Sequence, residues 1–366
     1  MRKGFKLLFF LSLICFCYGL SAQDRALGIG YGMGYTIANH PRFPKLNGPS
    51  HYFETSWTSS PENSRYWSKL NQKASLNLTA SLQTFGNNAA MGEAIGLTPL
   101  MSFNLLKPAP FSMQLQMGWG IAFLTKKFNS FYNTTNIVIG TNLNSYVSGR
   151  LQLAYRVGDW EPFMKVSLLH YSNGNAMSPN LGINIPAFQT GILWHYNVKK
   201  IAMEADMSML PEFKRRFSPF VQLGLGMTAT VSRGPFFPVY VVNSGAQWHY
   251  KRSRSLWAGL EYSFNSSVYQ FFENNGSSLY ERKDFDRYAF WLGHEWLFGR
   301  FGFFAMGGLY LNKHVYQRSL FPTQTGLNFY PRLPYKYLKN QAWIGVHIRA
   351  YFGLADYVML QMGYRF

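Results

Sequence analysis

Apolar and polar positions alternate with a period of two along most of this chain, the pattern of strands with two unlike faces. It predicts strands over residues 26–37, 50–58, 73–85, 93–105, 111–124, 144–156, 160–172, 186–196, 217–231, 237–250, 255–266, 285–297, 300–312, 341–352 and 356–366. Many have about the length that a tilted strand needs to cross a bilayer. The last is the clearest: Val358, Leu360, Met362, Tyr364 and Phe366 share one face, and Tyr357, Met359, Gln361, Gly363 and Arg365 the other. No window beyond the first 22 residues offers some twenty consecutive apolar positions, so helical membrane spans are not expected.

Composition decides what kind of strand protein this is. Aromatic residues make up 18% of the chain and charged ones only 14%, against about a quarter charged in ordinary soluble domains. So few charges could hardly cover a surface in water. An all-β, antiparallel transmembrane β-barrel reconciles the two figures, because its wall faces lipid and carries aromatic girdles at both interfaces. Closed as a single barrel it would have about 14–16 strands, the arrangement we favour because no polar Gly/Ser-rich linker interrupts the chain near 197–216. The alternative is an 8-stranded barrel plus a second barrel-like half.

The two ends of the sequence agree with an outer-membrane address. Arg2, Lys3 and Lys6, an apolar centre from Leu7 to Tyr18 and the small-residue exit Leu20-Ser21-Ala22 read as a signal peptide over 1–22. The terminal Phe366, after alternating apolar positions, resembles the C-terminal signal that the barrel assembly machinery of bacteria reads. Both cysteines, Cys15 and Cys17, lie inside the leader, so thiol catalysis and cysteine-ligated metals are excluded from the mature chain. With the three leader cations gone, 32 Lys and Arg face 16 Asp and Glu, a net charge of +16. Such a balance favours anionic partners. Lys126-Lys127, Lys199-Lys200, Lys214-Arg215-Arg216 and Lys251-Arg252 fall near strand ends, where phosphorylated lipid head groups would lie. Each cluster taken alone reads more readily as solvated loop charge or a snorkelling anchor. Nothing resembles a nucleic-acid module, and no nucleic-acid partner is expected.

A candidate internal duplication would divide the mature chain into halves over 23–200 and 201–366, the alternative being convergence, since glycine-rich strand starts are common in barrels. Residues 30–44 align without gaps to 224–238, matching Gly30/Gly224, Gly32/Gly226, Met33/Met227, Thr36/Thr230, Pro41/Pro235, Phe43/Phe237 and Pro44/Pro238. On that repeat Leu309-Tyr310-Leu311-Asn312 would answer to His170-Tyr171-Ser172-Asn173, with leucines in place of both polar side chains. The second half would then be structural, lacking the chemistry of the first.

That chemistry begins with His170 and Ser172. Residues i and i+2 of a strand project from the same face, so the imidazole and the hydroxyl can stand side by side, as a base and nucleophile must. Parity puts both with Met164, Val166 and Leu168 on the more apolar, lipid-facing side, and puts Glu161 on the other. Asn184 shares parity with Pro186, Phe188, Thr190, Ile192 and Trp194, again the apolar face. By periodicity alone the plainer reading is favoured, with His170 as an interfacial aromatic-like residue and Ser172-Asn173-Gly174 as a turn.

The run HYSNG followed by PNxGxN resembles the active-site segment of the outer-membrane lipid A 3-O-deacylases, the PagL family. There a His-x-Ser-Asn run closes one strand and a Pro-Asn-x-Gly-x-Glu turn follows. The likeness implies an esterase with Ser172 as nucleophile and His170 as general base and then acid. Asn173 and the backbone N–H groups around Gly174 and Asn175 would form the oxyanion hole. It implies lipid A, or lipopolysaccharide, as substrate and no metal or cofactor. One position departs: Asn184 stands where the family has glutamate, so the histidine can be oriented but its developing charge is not offset. The competing expectation is a non-enzymatic barrel, porin-like or structural, that keeps a degenerate site. Residues 200–366 lie outside the resemblance.

Overall fold

The computed structural model describes residues 24–60, 70–71, 74–106, 109–196, 208, 212–229, 234–275, 279–315, 319–332, 340–351 and 354–366. The leader expectation and Lys199-Lys200 lie outside them. Among the described residues sixteen antiparallel strands follow in order. The first eight are β1 (Asp24–Gly34), β2 (Ser50–Ser60), β3 (Ser75–Thr84), β4 (Glu93–Leu106), β5 (Phe111–Leu124), β6 (Leu143–Tyr155), β7 (Trp160–Ser172) and β8 (Ile183–Tyr196). Then come β9 (Arg216–Thr228), β10 (Phe237–Lys251), β11 (Arg254–Asn265), β12 (Asp286–Phe298), β13 (Phe301–Tyr310), β14 (Thr323–Phe329), β15 (Gln341–Tyr351) and β16 (Leu354–Arg365). A nine-residue helix, α1 (Ser266–Asn274), joins β11 towards β12. No helix among the described residues is long and apolar enough to cross a membrane.

The strands close into two barrels of eight rather than one larger ring. β1 pairs with β8, Ile29 opposite Ile192, and completes the first barrel. β9 pairs with β16, Leu225 opposite Leu360, and completes the second. Alternation along a strand specifies faces but not which edges meet, so the single-barrel preference gives way to the two-barrel alternative. The repeated glycines Gly30 and Gly32 lie in β1 and their counterparts Gly224 and Gly226 in β9, so each copy opens a barrel. The proposed correspondence of Leu309–Asn312 with the His170 segment is overturned by strand order. Leu309 is the penultimate residue of β13, the fifth strand of its barrel, whereas His170 is on β7, the seventh.

Outward positions of the wall are apolar. On β7 Met164, Val166 and Leu168 are exposed, and so are Leu223, Leu225 and Met227 on β9. Inward positions carry the charge. In the first barrel Arg150 binds Glu54 at 2.6 Å and Lys165 binds it at 3.2 Å, all three buried. Arg150 also donates to Tyr52 and Tyr146, and Tyr52 donates to Glu54. A buried charge is tolerable only when paired and hydrogen-bonded, and here every member has a partner. Beyond this cluster, towards the end with the short 156–159 turn, a cavity of about 150 Å³ remains, lined by Asn77, Gln116, Glu161 and His195 among others. The opposite end is sealed by an apolar core in which Phe43, Phe85, Met91, Val138 and Ile139 pack on Tyr146, Leu169 and Tyr171.

The second barrel fills its interior similarly with different residues. Arg349 binds Glu261 at 2.7 Å and lies over the Trp291 ring, while Arg287 binds Asp356 at 3.1 Å. Glu295 accepts from Tyr330, Asn328 and Gln247.

Candidate active site

The end of β7 is held from both sides of the sheet. Register sets Ser172 opposite Ser145 and His170 opposite Val147 on β6, and His170 opposite Asn184 on β8. The parity predicted from sequence is the parity observed, since Leu169 and Tyr171 are buried inward and His170 and Ser172 turn to the outer wall. On the inner side the Tyr171 ring stacks on Tyr146 at 4.5 Å, nearly parallel. Its hydroxyl donates to Gln83 at 2.9 Å, and Gln83 in turn donates to Ser50 at 2.8 Å. The residue between histidine and serine is thus fixed in the core, which limits how far its two neighbours can swing.

On the outer side three polar groups form a relay. His170 Nε2 lies 3.0 Å from Ser172 Oγ, and His170 Nδ1 lies 2.7 Å from Asn184 Oδ1. When Nδ1–H donates to the asparagine oxygen, Nε2 keeps its lone pair for the serine proton. Asn184 therefore selects the tautomer that a general base needs. Ser172 is only 6% exposed. Asn184 itself is tied down by its backbone carbonyl, which accepts from Ile37 N at 2.8 Å.

Gly182 completes the wall around the imidazole. Its φ is 73°, a left-handed conformation that favours glycine. A Cβ there would stand 3.0 Å from His170 Cε1, and its amide donates to Val138 O at 3.2 Å. The sequence motif contains Gly182, yet only the structure gives it a role, as a contact surface for the ring. Tyr171, Tyr146 and Gln83 were also missed as supports. Their signal was available in the inward parity of three separate strands, but not their mutual contact.

The candidate oxyanion residues follow directly. Asn173 is buried, and Gly174 and Asn175 both take a left-handed backbone with φ of 63°, so the chain turns sharply just past the serine. Glu161, which parity set apart from the site, points inward and meets His195 at 3.0 Å. Among the described residues no cluster of three or more His, Cys, Asp or Glu is placed to hold a metal ion. A hydroxyl, an imidazole and an amide in line, beside a tight turn of the backbone, are parts that acyl transfer can use.

Comparison with known proteins bears on both halves. Residues 51–192 match the family described as lipid A 3-O-deacylase (PagL), and residues 217–366 match the family described as acyloxyacyl hydrolase, C-terminal domain. No curated protein matches by sequence. Among solved structures, the outer membrane enzyme PagL is 14% identical over 45% of this chain and 97% of its own, with a TM-score of 0.34. A mutant of the Rh. blastica porin is 10% identical over 94% of this chain and 99% of its own, with a TM-score of 0.18. The NanC porin is 7% identical over 92% of this chain and 98% of its own, at 0.17. Scores this low carry no argument about shape, and the weight rests on the two family matches.

Proposed function

From the premise that the chain is a relative of the outer-membrane lipid A 3-O-deacylase (PagL) family with an additional C-terminal half, we propose that it is an outer-membrane esterase that removes an ester-linked acyl chain from lipid A. The observation that carries this reading is the Ser172–His170–Asn184 relay on the outward face of β7 and β8, with contacts of 3.0 and 2.7 Å.

In this mechanism Ser172 Oγ attacks the ester carbonyl carbon while its proton passes to His170 Nε2. The negative charge that develops on the carbonyl oxygen is met by Asn173 and by the amides of Gly174 and Asn175. Collapse breaks the bond to the sugar oxygen, which leaves with the proton that His170 returns. A water molecule, deprotonated by the same nitrogen, then attacks the acyl-serine, and the fatty acid departs. His170 serves as base and acid in turn. Asn184 holds the ring in the useful tautomer but brings no negative charge to the imidazolium. The reaction is therefore expected to be slower than with a carboxylate at that position, and it needs no metal or cofactor.

The test is the lipid A of Gram-negative cells that express the chain. Mass spectrometry should find lipid A lighter by one ester-linked acyl group with the intact protein, and unaltered with Ser172→Ala, whose rate falls at least about a thousandfold. Equal acylation in both, with the protein folded in the outer membrane, would overturn the assignment. The porin reading is disfavoured by the two charged clusters, Glu54–Arg150–Lys165 and Glu261–Arg349, that occupy the barrel interiors.

A further inference from the structure

Three loops at the active-site end of the first barrel, 35–49, 85–92 and 125–142, contain Arg42, Lys45, Lys126 and Lys127 and not one Asp or Glu. At the corresponding end of the second barrel, the described loop residues 266–275, 279–285 and 311–315 mix Arg282, Lys283 and Lys313 with Glu273, Glu281 and Asp284. Some of those cations are already neutralised: Lys283 meets Glu281 and Arg282 meets Asp286, both at 2.7 Å. Among the described loop residues, a field of one sign thus belongs to the barrel that carries the relay.

Loop 125–142 is built to hold its shape. Asn129 and Asn133 exchange backbone hydrogen bonds at 3.2 and 3.1 Å, and Phe128 N donates to Ile139 O at 2.8 Å. Asn133 and Asn136 side chains donate to Ala90 O at 3.0 and 3.1 Å, and Val138 and Ile139 are fully buried. On this fixed frame Phe131 and Tyr132 are 84% and 82% exposed, in the same loop as Lys126 and Lys127. The frame reaches the relay through the Gly182 N to Val138 O bond. The other cationic loop reaches it as well, through Ile37 N to Asn184 O and Asn39 Nδ2 to Leu181 O at 3.4 Å.

We infer that these loops, with 125–142 at their centre, form a recognition surface for the phosphorylated sugar headgroup of the lipid, distinct from the groups that cut its ester. Lys126, Lys127, Arg42 and Lys45 would attract the phosphates, and the exposed rings of Phe131 and Tyr132 would pack on the sugar faces. The identity of the lipid rests on the esterase reading above; the preference for phosphate rests on the loops alone.

The test uses the full chain as Ser172→Ala in detergent micelles, titrated with bisphosphorylated lipid A and with the same lipid stripped of both phosphates. Binding should be about tenfold tighter for the phosphorylated form at low salt, and the ratio should shrink in high salt. In Lys126→Gln/Lys127→Gln the ratio should approach one, while Phe131→Ala/Tyr132→Ala should weaken both forms alike. A ratio near one in the parent, or one that survives loss of both lysines, would overturn the inference. So would displacement of the lipid by millimolar inorganic phosphate, which would mark a site for the free ion. Turnover by the intact protein separates the two readings. Equal cleavage of both lipids would leave an esterase without this surface, and discrimination in binding with no cleavage of either would leave the surface without the esterase.

Discussion

In the first barrel the seventh strand ends His170-Tyr171-Ser172, with tyrosine inward and the two polar residues on the outer wall. In the second the seventh strand ends Ile348-Arg349-Ala350-Tyr351, with Arg349 and Tyr351 inward and only Ile348 and Ala350 turned outward. Both barrels hide their charges in the interior and both seat a tyrosine beneath the end of that strand. What separates them is two outward positions. A strand exposes every second residue to one face, so the wall can gain or lose chemistry while the interior that holds the fold stays in place.

The largest expected effect that would break this comparison comes from the interiors. Glu54→Gln leaves Arg150 and Lys165 buried without their counter-charge, and Glu261→Gln does the same to Arg349; each should cost about 3–5 kcal/mol of stability. Heat-modifiable migration on gels reads that loss. Lipid A deacylation should fall with Glu54→Gln and persist with Glu261→Gln in protein that remains folded. Activity abolished by Glu261→Gln in a folded protein would mean that the second barrel is no bystander.

Next in size is Gly182→Ala. The new Cβ meets the edge of His170 and is forced into a left-handed backbone, so the ring should move off the serine and the rate should drop about a hundredfold, with little change in folding. A rate within twofold of the parent would show that the ring tolerates the shift.

The smallest and sharpest change is Asn184→Asp, which keeps the side-chain length. A carboxylate oxygen where the amide oxygen now stands, 2.7 Å from Nδ1, would offset the imidazolium, and about 1.4 kcal/mol of extra stabilisation corresponds to a tenfold gain in rate. Steady-state kinetics on a soluble ester substrate would measure it. A loss instead of a gain would mean that this site is organised around the amide.

Much of this was legible in the sequence because parity is a local property. The outward placement of His170, Ser172 and Asn184 and the inward placement of Glu161 follow from period two alone. β14 escaped because it is short, and Gln324, Gly326 and Asn328 face inward against Thr323, Thr325 and Leu327, a pattern with almost no apolar side. Closure into two rings escaped because it depends on which edges pair, β1 with β8 and β9 with β16, and alternation is silent on that. The misplaced match of Leu309 had another root: it lies 139 positions after His170 whereas the repeat is offset by 194, so it rested on a shared Tyr and Asn and not on strand order. Tyr171 and Gln83, 88 residues apart, could be brought together only by the fold.

The outward position of Ser172 has a kinetic consequence on the proposed reading. A lumenal site would meet its substrate by diffusion in three dimensions through a mouth. A site on the wall meets it by collision within a two-dimensional film, so the governing variable is the mole fraction of substrate among neighbouring lipids rather than its bulk concentration. Diluting the lipid with inert detergent should therefore slow such an enzyme even when the amount of substrate in the vessel is unchanged.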